Sequence, residues 1–397
     1  MGTNKVMLKK TANKLLSYIG YQIQKIKPIK KNILYNVFHS NYSRKILISY
    51  IQRPFILGVN KQHSNMLECY TAAEIFHKNG YQVDVAEYMS QDSIDYDQYE
   101  VVYGFGYPLE RAFYSDCAEK IKKIYYSTGC CNFYQNKNTA LKILKFQKEK
   151  HKIIPQSGRL VYHFWTLQFI MPDLNVCLGN QFVSNTYLEI NPDLNIRTLL
   201  IFYWDVYDID LSQKDFQEAK KHFLWFGSEG LLHKGLDILI DIFSKRDDIF
   251  LHICGASKSE KKFFEYYQPI IDKSNNIIEH GFLDISSDNF KEIMDLCAFC
   301  CFPSVSEGGA AASVNVMANG GLIPIASKSS GVDIEDFGFV FEDIDEKVIV
   351  EMINQALSLS DTELYEKSNF VKTSVRECYT YENYKKNLTD IILSELK

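Results

Sequence analysis

The chain reads as an α/β protein with two Rossmann-like domains in succession behind a basic N-terminal amphipathic arm. Three observations lead to that fold class. Short apolar runs alternate with longer segments of helical periodicity, first from Lys45 onward and again from Phe223 onward. The segment at 201–220, carrying Asp205, Asp208 and Asp210, separates the two series as a linker. At 397 residues the chain is long enough for two domains of ordinary size. The divisions that follow are an arm at 1–43, a first domain at 44–205, a second at 206–375 and a terminal helix at 376–397.

The arm carries charge of one sign. Glu68 is the first acidic residue, and 12 of the 44 Lys and Arg precede it, leaving 32 basic against 49 acidic residues for the rest of the chain. Leu8, Ala12, Leu15, Leu16, Ile19, Ile23 and Ile26 recur at helical spacing, while Lys5, Lys9, Lys10, Lys14 and Lys25 fall mostly off that stripe. A basic amphipathic helix suits a membrane surface, so residues 5–31 are the expected contact with a membrane. A helix packing its stripe on the protein itself is the competing reading. No uninterrupted apolar run reaches the roughly 20 residues needed to span a bilayer, and lysines break any signal-peptide core. The expectation is a cytoplasmic protein, peripheral on the inner face of the membrane. Nucleic acid is not expected as a partner, because the acidic body opposes a long phosphate track.

In the first domain, residues 45–51 read as a strand and 65–79 as a helix with Ala72, Ala73, Ile75 and Phe76 inward. Residues 81–86 form the next strand, with Gly80 between, which makes a βαβ unit. Further strands are expected at 101–105, 123–127, 173–179 and 195–200, with a turn-rich stretch at 128–132. His63 and Asn65 follow the loop after the first strand, and Thr128 sits at another strand end. All three are candidates for substrate contact, with a solvated loop as the plainer alternative.

In the second domain, strands are expected near Phe223, Ile249, Ile277, Ala298 and Leu322. The buried run 223–227 leads through Ser228-Glu-Gly-Leu-Leu-His-Lys234-Gly235 into a helix at 236–244. The apolar run 297–303 leads through Ser306-Glu307-Gly308-Gly309 into a helix at 310–319 that opens on small residues. A strand end, two glycines and a helix N-terminus form an anion site, because unpaired N–H groups point outward and the helix dipole adds positive charge. Glu307 in the same crevice can accept hydrogen bonds from hydroxyls. Ligands of an open parallel sheet bind outside the carboxyl ends of its strands, so Lys234 and Glu307 are expected to face one crevice, with the lysine a point charge for a diphosphate.

The pairing of Gly-x-x-His-Lys-Gly-Leu-Asp with Pro-Ser-x-Ser-Glu-Gly-Gly resembles the retaining glycosyltransferases of the GT-B, family 4 type. Gly227, Lys234, Gly235, Glu307, Gly308 and the run Met317-Ala-Asn-Gly-Gly-Leu-Ile-Pro-Ile-Ala326 match its pattern. The resemblance implies two Rossmann-like domains facing a central cleft, and a terminal helix that crosses back onto the first domain. It implies a nucleoside-diphosphate sugar as donor and a glycan or lipid-linked acceptor, with a place in cell-surface polysaccharide or glycolipid assembly. Lys234 would grip the diphosphate with the amides of Gly308, Gly309 and Ala310. Glu307 would bind the donor sugar, and Gly227 and Ser228 would line the diphosphate loop. Phe282 and Leu283 follow a strand of the second domain and are candidates to bound the base, with a core position as the equal alternative for Phe282. His63, Glu307 and Lys234 are the candidate catalytic residues.

Two positions depart from the pattern. Asn315 stands where the family's second glutamate holds the ribose, and Ser228 stands where an arginine commonly follows the loop glycine. An amide still donates and accepts, but a charge-assisted bond is about twice as strong as a neutral one. A nucleotide-sugar epimerase of the same fold and a non-catalytic nucleotide-sugar-binding module therefore stay open as alternatives.

Other motifs carry less. Cys297-x-x-Cys300 lies within a buried apolar strand with no second Cys or His pair, so neither a zinc site nor a disulfide is expected. Asp95-Tyr-Asp97, Asp208-Ile-Asp210 and Asp343-Ile-Asp345 are Asp-x-Asp triplets that recur by chance in an acidic chain. No metal or other cofactor is expected. Gly104-Phe-Gly106 lacks the third glycine of a dinucleotide fingerprint, with Leu109 in its place.

Overall fold

The computed structural model describes residues 33–60, 63–163 and 165–396. The amphipathic stripe of the arm, including residues 5–31, lies outside the described residues. Two sheets organise the rest, as the alternating pattern predicts. The first contains β1 (Ile33–Leu34), β2 (Arg44–Tyr50), β3 (Tyr81–Glu87), β4 (Val101–Gly104), β5 (Lys122–Ser127), β6 (Leu174–Leu178) and β7 (Ile196–Leu199) in the order β1-β3-β2-β4-β5-β6-β7. The second contains β8 (His222–Phe226), β9 (Phe250–Cys254), β10 (Ile277–Gly281), β11 (Phe299–Phe302), β12 (Ile323–Ser327) and β13 (Phe339–Phe341) in the order β10-β9-β8-β11-β12-β13. All pairings are parallel except β1 with β3. Parallel strands are covered on both faces and so read as continuous apolar runs. Phe223, Leu224 and Trp225 of β8 accordingly have no measurable exposure.

Residues 33–43, the described part of the expected arm, belong to the first domain. Ile33 pairs opposite Ala86 and is 7% exposed, so burying it ties this segment to the sheet edge. The expected linker is likewise shorter than 201–220: after β7 the chain crosses over, and Phe216–Ala219 already packs as a helix against the second domain.

Reversal of strand order creates a crevice in each sheet, between β2 and β4 in the first and between β8 and β11 in the second. Both crevices open into the space between the domains, and two sets of contacts hold them facing. Along one side, helix Asn132–Lys150 of the first domain meets helix Leu236–Phe243 of the second. Lys142 lies 2.8 Å from Asp237, the two side chains being 6% and 7% exposed, and Lys150 lies 2.8 Å from Asp241. On the other side, the terminal helix Tyr381–Glu395 returns to the first domain. Lys385 pairs with Glu74 at 2.6 Å, and the Tyr381 and Tyr384 hydroxyls lie 2.9 Å and 3.1 Å from Thr71 Oγ1 and the Tyr126 hydroxyl.

Among the described residues, no helix is long and apolar enough to cross a membrane. Asp205 and Asp208 bind Arg376 at 2.6 Å and 2.7 Å, and Asp345 caps helix Glu346–Leu357 while pairing with Lys145. Members of two Asp-x-Asp triplets are thus engaged in joining elements.

Candidate active site between the domains

A cavity of about 620 Å³ lies where the two crevices meet. The wall from the second domain is built by two loops bound to each other. The loop after β8 ends at Gly235, and the loop after β11 runs to Ala310, where helix Ala311–Gly320 starts. Between them, His233 O accepts the N–H of Val305 at 3.0 Å, and His233 Nε2 lies 2.6 Å from Ser306 O. A carbonyl only accepts, so Nε2 carries the proton and Nδ1 accepts from the Thr139 hydroxyl of the first domain at 3.0 Å. Burial lowers the His233 pKa to about 4, so the ring stays neutral and acts as a hydrogen-bonded rivet, although it lies 3.9 Å from Glu307.

Glu307 sits at the focus of this wall, 13% exposed at its side chain. Its Oε1 accepts from Ser304 Oγ at 3.1 Å, and lies 3.7 Å from Lys234 Nζ and 3.5 Å from an Arg159 guanidinium nitrogen. Burial alone would raise the carboxyl pKa, but Lys234, Arg159 and the Ser304 bond outweigh it and hold it down to about 2. Lys234 is buried too, and loss of solvent pulls its ammonium pKa down while Glu307 opposes that change. The site therefore presents a fixed carboxylate flanked by cations.

Gly308 and the start of the helix complete the wall. A Cβ at Gly308 would fall 2.3 Å from the carbonyl oxygen of Thr128, so only glycine lets this turn press against the first domain. Gly309 lies against Ile201 of the crossover, outside the cavity wall. Ala310 adopts the left-handed conformation at φ 39° and gives the helix no side-chain cap. The uncapped N-terminal turn, with Ala310, Ala311 and Ala312, lines the cavity.

The other expected residues distribute as follows. Gly227, Ser228, Lys234, Phe282, Leu283, Glu307, Gly308, Ala310, Asn315, His63, Asn65 and Thr128 all line the cavity. Phe282 is 53% exposed at the rim, which excludes a core role. His63 caps helix Ser64–Lys78, its Nδ1 accepting the Asn65 N–H at 3.1 Å. Asn315 turns its amide inward: Oδ1 accepts the Trp204 N–H and Nδ2 donates to Ala311 O, each at 2.8 Å. One turn on, Asn319 accepts from the N–H groups of Val206 and Tyr207 at 3.1 Å and 3.0 Å, so the two amides clamp the interdomain crossover to this helix.

The first-domain wall is aromatic. Tyr50 and Tyr88 pack on Phe105 with ring centroids 5.0 Å and 4.9 Å away. Beneath them Glu68, 3% exposed, accepts from the hydroxyls of Tyr50 and Tyr126 at 2.9 Å and 3.0 Å. Sequence reading singled out neither Glu68 nor Arg159, His233 or Asn319 for the site. The i, i+4 spacing of Asn315 and Asn319 was a usable signal that they share a face, and His233 adjoins Lys234. Arg159 had no local signal.

A family model described as glycosyl transferases group 1 matches residues 208–369. No curated protein sequence matches the chain. Among solved structures, the chain is similar to a sucrose-phosphate synthase from Thermosynechococcus elongatus, with 12% identity over 89% of this chain and 99% of that one, at a TM-score of 0.59. It is similar to HepE from Anabaena in complex with UDP and glucose, with 12% identity over 89% of this chain and 100% of that one, at a TM-score of 0.57. It is also similar to WaaG, a glycosyltransferase involved in lipopolysaccharide biosynthesis, with 12% identity over 87% of this chain and 99% of that one, at a TM-score of 0.56. At such identities the likeness is one of fold. The chain therefore has the two-domain GT-B fold, and its residues 208–369 match the glycosyl transferases group 1 family model.

Proposed function

We propose that this protein transfers a sugar from a nucleoside-diphosphate sugar to a glycan or lipid-linked acceptor, with retention of anomeric configuration. The observation that carries this reading is the convergence of Lys234, Glu307 and an uncapped helix N-terminus on one interdomain cavity at the second sheet's crevice. Lys234 and the first amides of helix Ala311–Gly320 neutralise the charge that grows on the departing diphosphate, which lowers the barrier because the interaction strengthens toward the transition state. Glu307, kept ionised by its neighbours, orients the donor sugar through its hydroxyls. In a front-face reaction the leaving phosphate takes the acceptor proton, so no separate base is required. The aromatic first-domain wall, with His63 and Asn65, holds the acceptor. Supporting the donor assignment, HepE binds UDP and UDP-glucose within the same fold.

A panel of UDP- and GDP-sugars tested first by calorimetry and then for release of nucleoside diphosphate, with and without glycan acceptors, tests the reading. Acceptor-dependent release with the donor's anomeric configuration kept is the expected result. Conversion of the donor without acceptor would make the protein an epimerase, and binding without any turnover would make it a binding module. The neutralising groups are protein atoms, so turnover is expected to withstand a chelator.

The same reading places the acceptor at a membrane, through residues 5–31. Binding to vesicles containing anionic lipid is expected for the full chain and lost on deleting residues 1–31. Equal vesicle binding by both forms would refute it.

A further inference from the structure

A diphosphate arriving between Lys234 and the helix N-terminus brings more negative charge than one lysine offsets. Position 228, where an arginine would add a second cation, is an exposed serine. Among the described residues lining the cavity, the only lysine and arginine are Lys234 and Arg159, and they come from opposite domains. We infer that Arg159 is a diphosphate-binding residue of this cleft, supplied by the first domain in place of the cation missing at position 228.

The local structure is built to deliver that side chain. Arg159 ends the short 3-10 helix Pro155–Gly158 in the left-handed conformation, at φ 51°, and its carbonyl accepts from Gln135 Nε2 at 2.8 Å. Ser157, 1% exposed, accepts the backbone N–H of His233 at 2.9 Å, so this segment is docked on the loop that carries Lys234. The stem of Arg159 then crosses Gly230, where an added Cβ would fall 2.1 Å from Arg159 Cδ. Glycine at 230 thus leaves a channel for the arginine. Gly230 itself is anchored from behind, its N–H donating to Glu260 Oε1 at 2.5 Å.

At the tip, the guanidinium approaches Glu307 Oε1 at 3.5 Å, the same oxygen that Lys234 approaches at 3.7 Å. Two cations from two domains therefore flank one carboxylate oxygen of Glu307, in the loop that leads into helix Ala311–Gly320. A guanidinium has five N–H donors in a planar fork, far more than one oxygen at that distance engages. The side chain is 44% exposed, so those donors are accessible from the cavity. The point between Lys234 and Arg159 is held by the Glu307 oxygen, so a phosphate group would enter beside that carboxylate and meet the donors that both cations turn to the cavity. Because the second cation belongs to the other domain, the bound diphosphate spans the cleft.

This rests on the nucleotide-sugar reading above, and the test separates the two. Calorimetry with UDP, GDP and inorganic pyrophosphate would be run on the wild type, Arg159→Gln, Ser228→Arg and the double variant, with uridine and guanosine as phosphate-free controls. Arg159→Gln is expected to weaken whichever diphosphate the wild type binds by about 10-fold or more. It should leave nucleoside binding and the melting temperature unchanged, since the side chain is partly exposed. Adding Ser228→Arg is expected to recover most of the loss. Unchanged diphosphate affinity in Arg159→Gln overturns the inference, as does an equal loss for nucleosides, which would mark a structural role. A loss that Ser228→Arg fails to recover overturns the exchange of charge between the two positions. If the wild type binds none of the diphosphate probes, the nucleotide-sugar reading fails, and this inference with it.

Discussion

The two walls of the cleft arise at equivalent places, each at the reversal point of a parallel sheet, yet they are furnished differently. The second-domain wall concentrates charge: Lys234 and Glu307 lie 3.7 Å apart on loops joined through His233, beside an uncapped helix. The first-domain wall offers rings, with Tyr50, Tyr88 and Phe105 packed together and one carboxylate, Glu68, held by two tyrosine hydroxyls. Fixed charge on largely buried side chains suits a diphosphate, whereas aromatic faces with a few polar groups suit the apolar faces and hydroxyls of a glycan. Arg159 is the exception, a cation from the aromatic wall that reaches the charged one.

The division holds only while the walls face each other, so the first way to break it is at the seam. Lys142→Met leaves Asp237 buried without its counter-ion, and a lost partner in a buried pair costs about 3–5 kcal/mol. Chemical denaturation should show that loss, and the Lys142→Met, Asp237→Leu pair should regain most of it. Failure of the single change to destabilise would mean the pair does not join the domains.

Next comes the charged wall itself. Glu307→Gln is expected to reduce transfer about 100-fold while UDP or GDP still binds, because it removes a sugar contact and spares the cations. Full turnover would disprove the role. Lys234→Gln should do the converse, weakening diphosphate binding about 10- to 100-fold, in the range for a charged hydrogen bond. Equal losses of sugar-free diphosphate binding in both variants would erase the distinction between the two residues.

A smaller effect separates the domains by pH. In the second sheet His222 Nδ1 lies 2.8 Å from His252 Nε2, and His252 Nδ1 lies 2.9 Å from His280 Nε2, which forms a histidine ladder across β8, β9 and β10. Burial first, then its neighbours His222 and His280, lower the His252 pKa to about 3. A base whose folded pKa is depressed binds its proton first in the unfolded chain. Stability is therefore complete above the unfolded value near 6.5 and is lost as pH falls from there toward 3, by about 2 kcal/mol at pH 5. Denaturation at pH 7 and pH 5 should show the wild type losing more than His252→Gln, and identical acid losses would contradict it.

The same contrast governs what could be read from the chain. The α/β alternation and both strand-to-helix junctions were visible because parallel strands and short junction loops leave contiguous patterns, and Lys234 and Glu307 sit inside such patterns. Ile33 was misplaced in the arm because a two-residue edge strand carries no periodicity. Asn315 was assigned to the ribose from its place in a motif, but its amide contacts Trp204 and Ala311, a pairing set by where the crossover passes. Arg159 was invisible for the same reason. Its position depends on Gly230, which its stem crosses, and on His233, which holds Ser157 two residues before it; both lie far along the chain and meet this segment only when the domains dock.

A structure of the protein with a bound nucleoside diphosphate tests the central claim, that one donor is held by both walls, most directly. The account predicts phosphate oxygens within hydrogen-bond distance of Lys234 Nζ, the first amides of helix Ala311–Gly320 and the Arg159 guanidinium, with Glu307 facing the space for the sugar. A diphosphate bound elsewhere, or held by the second domain alone with Arg159 turned away, would contradict it.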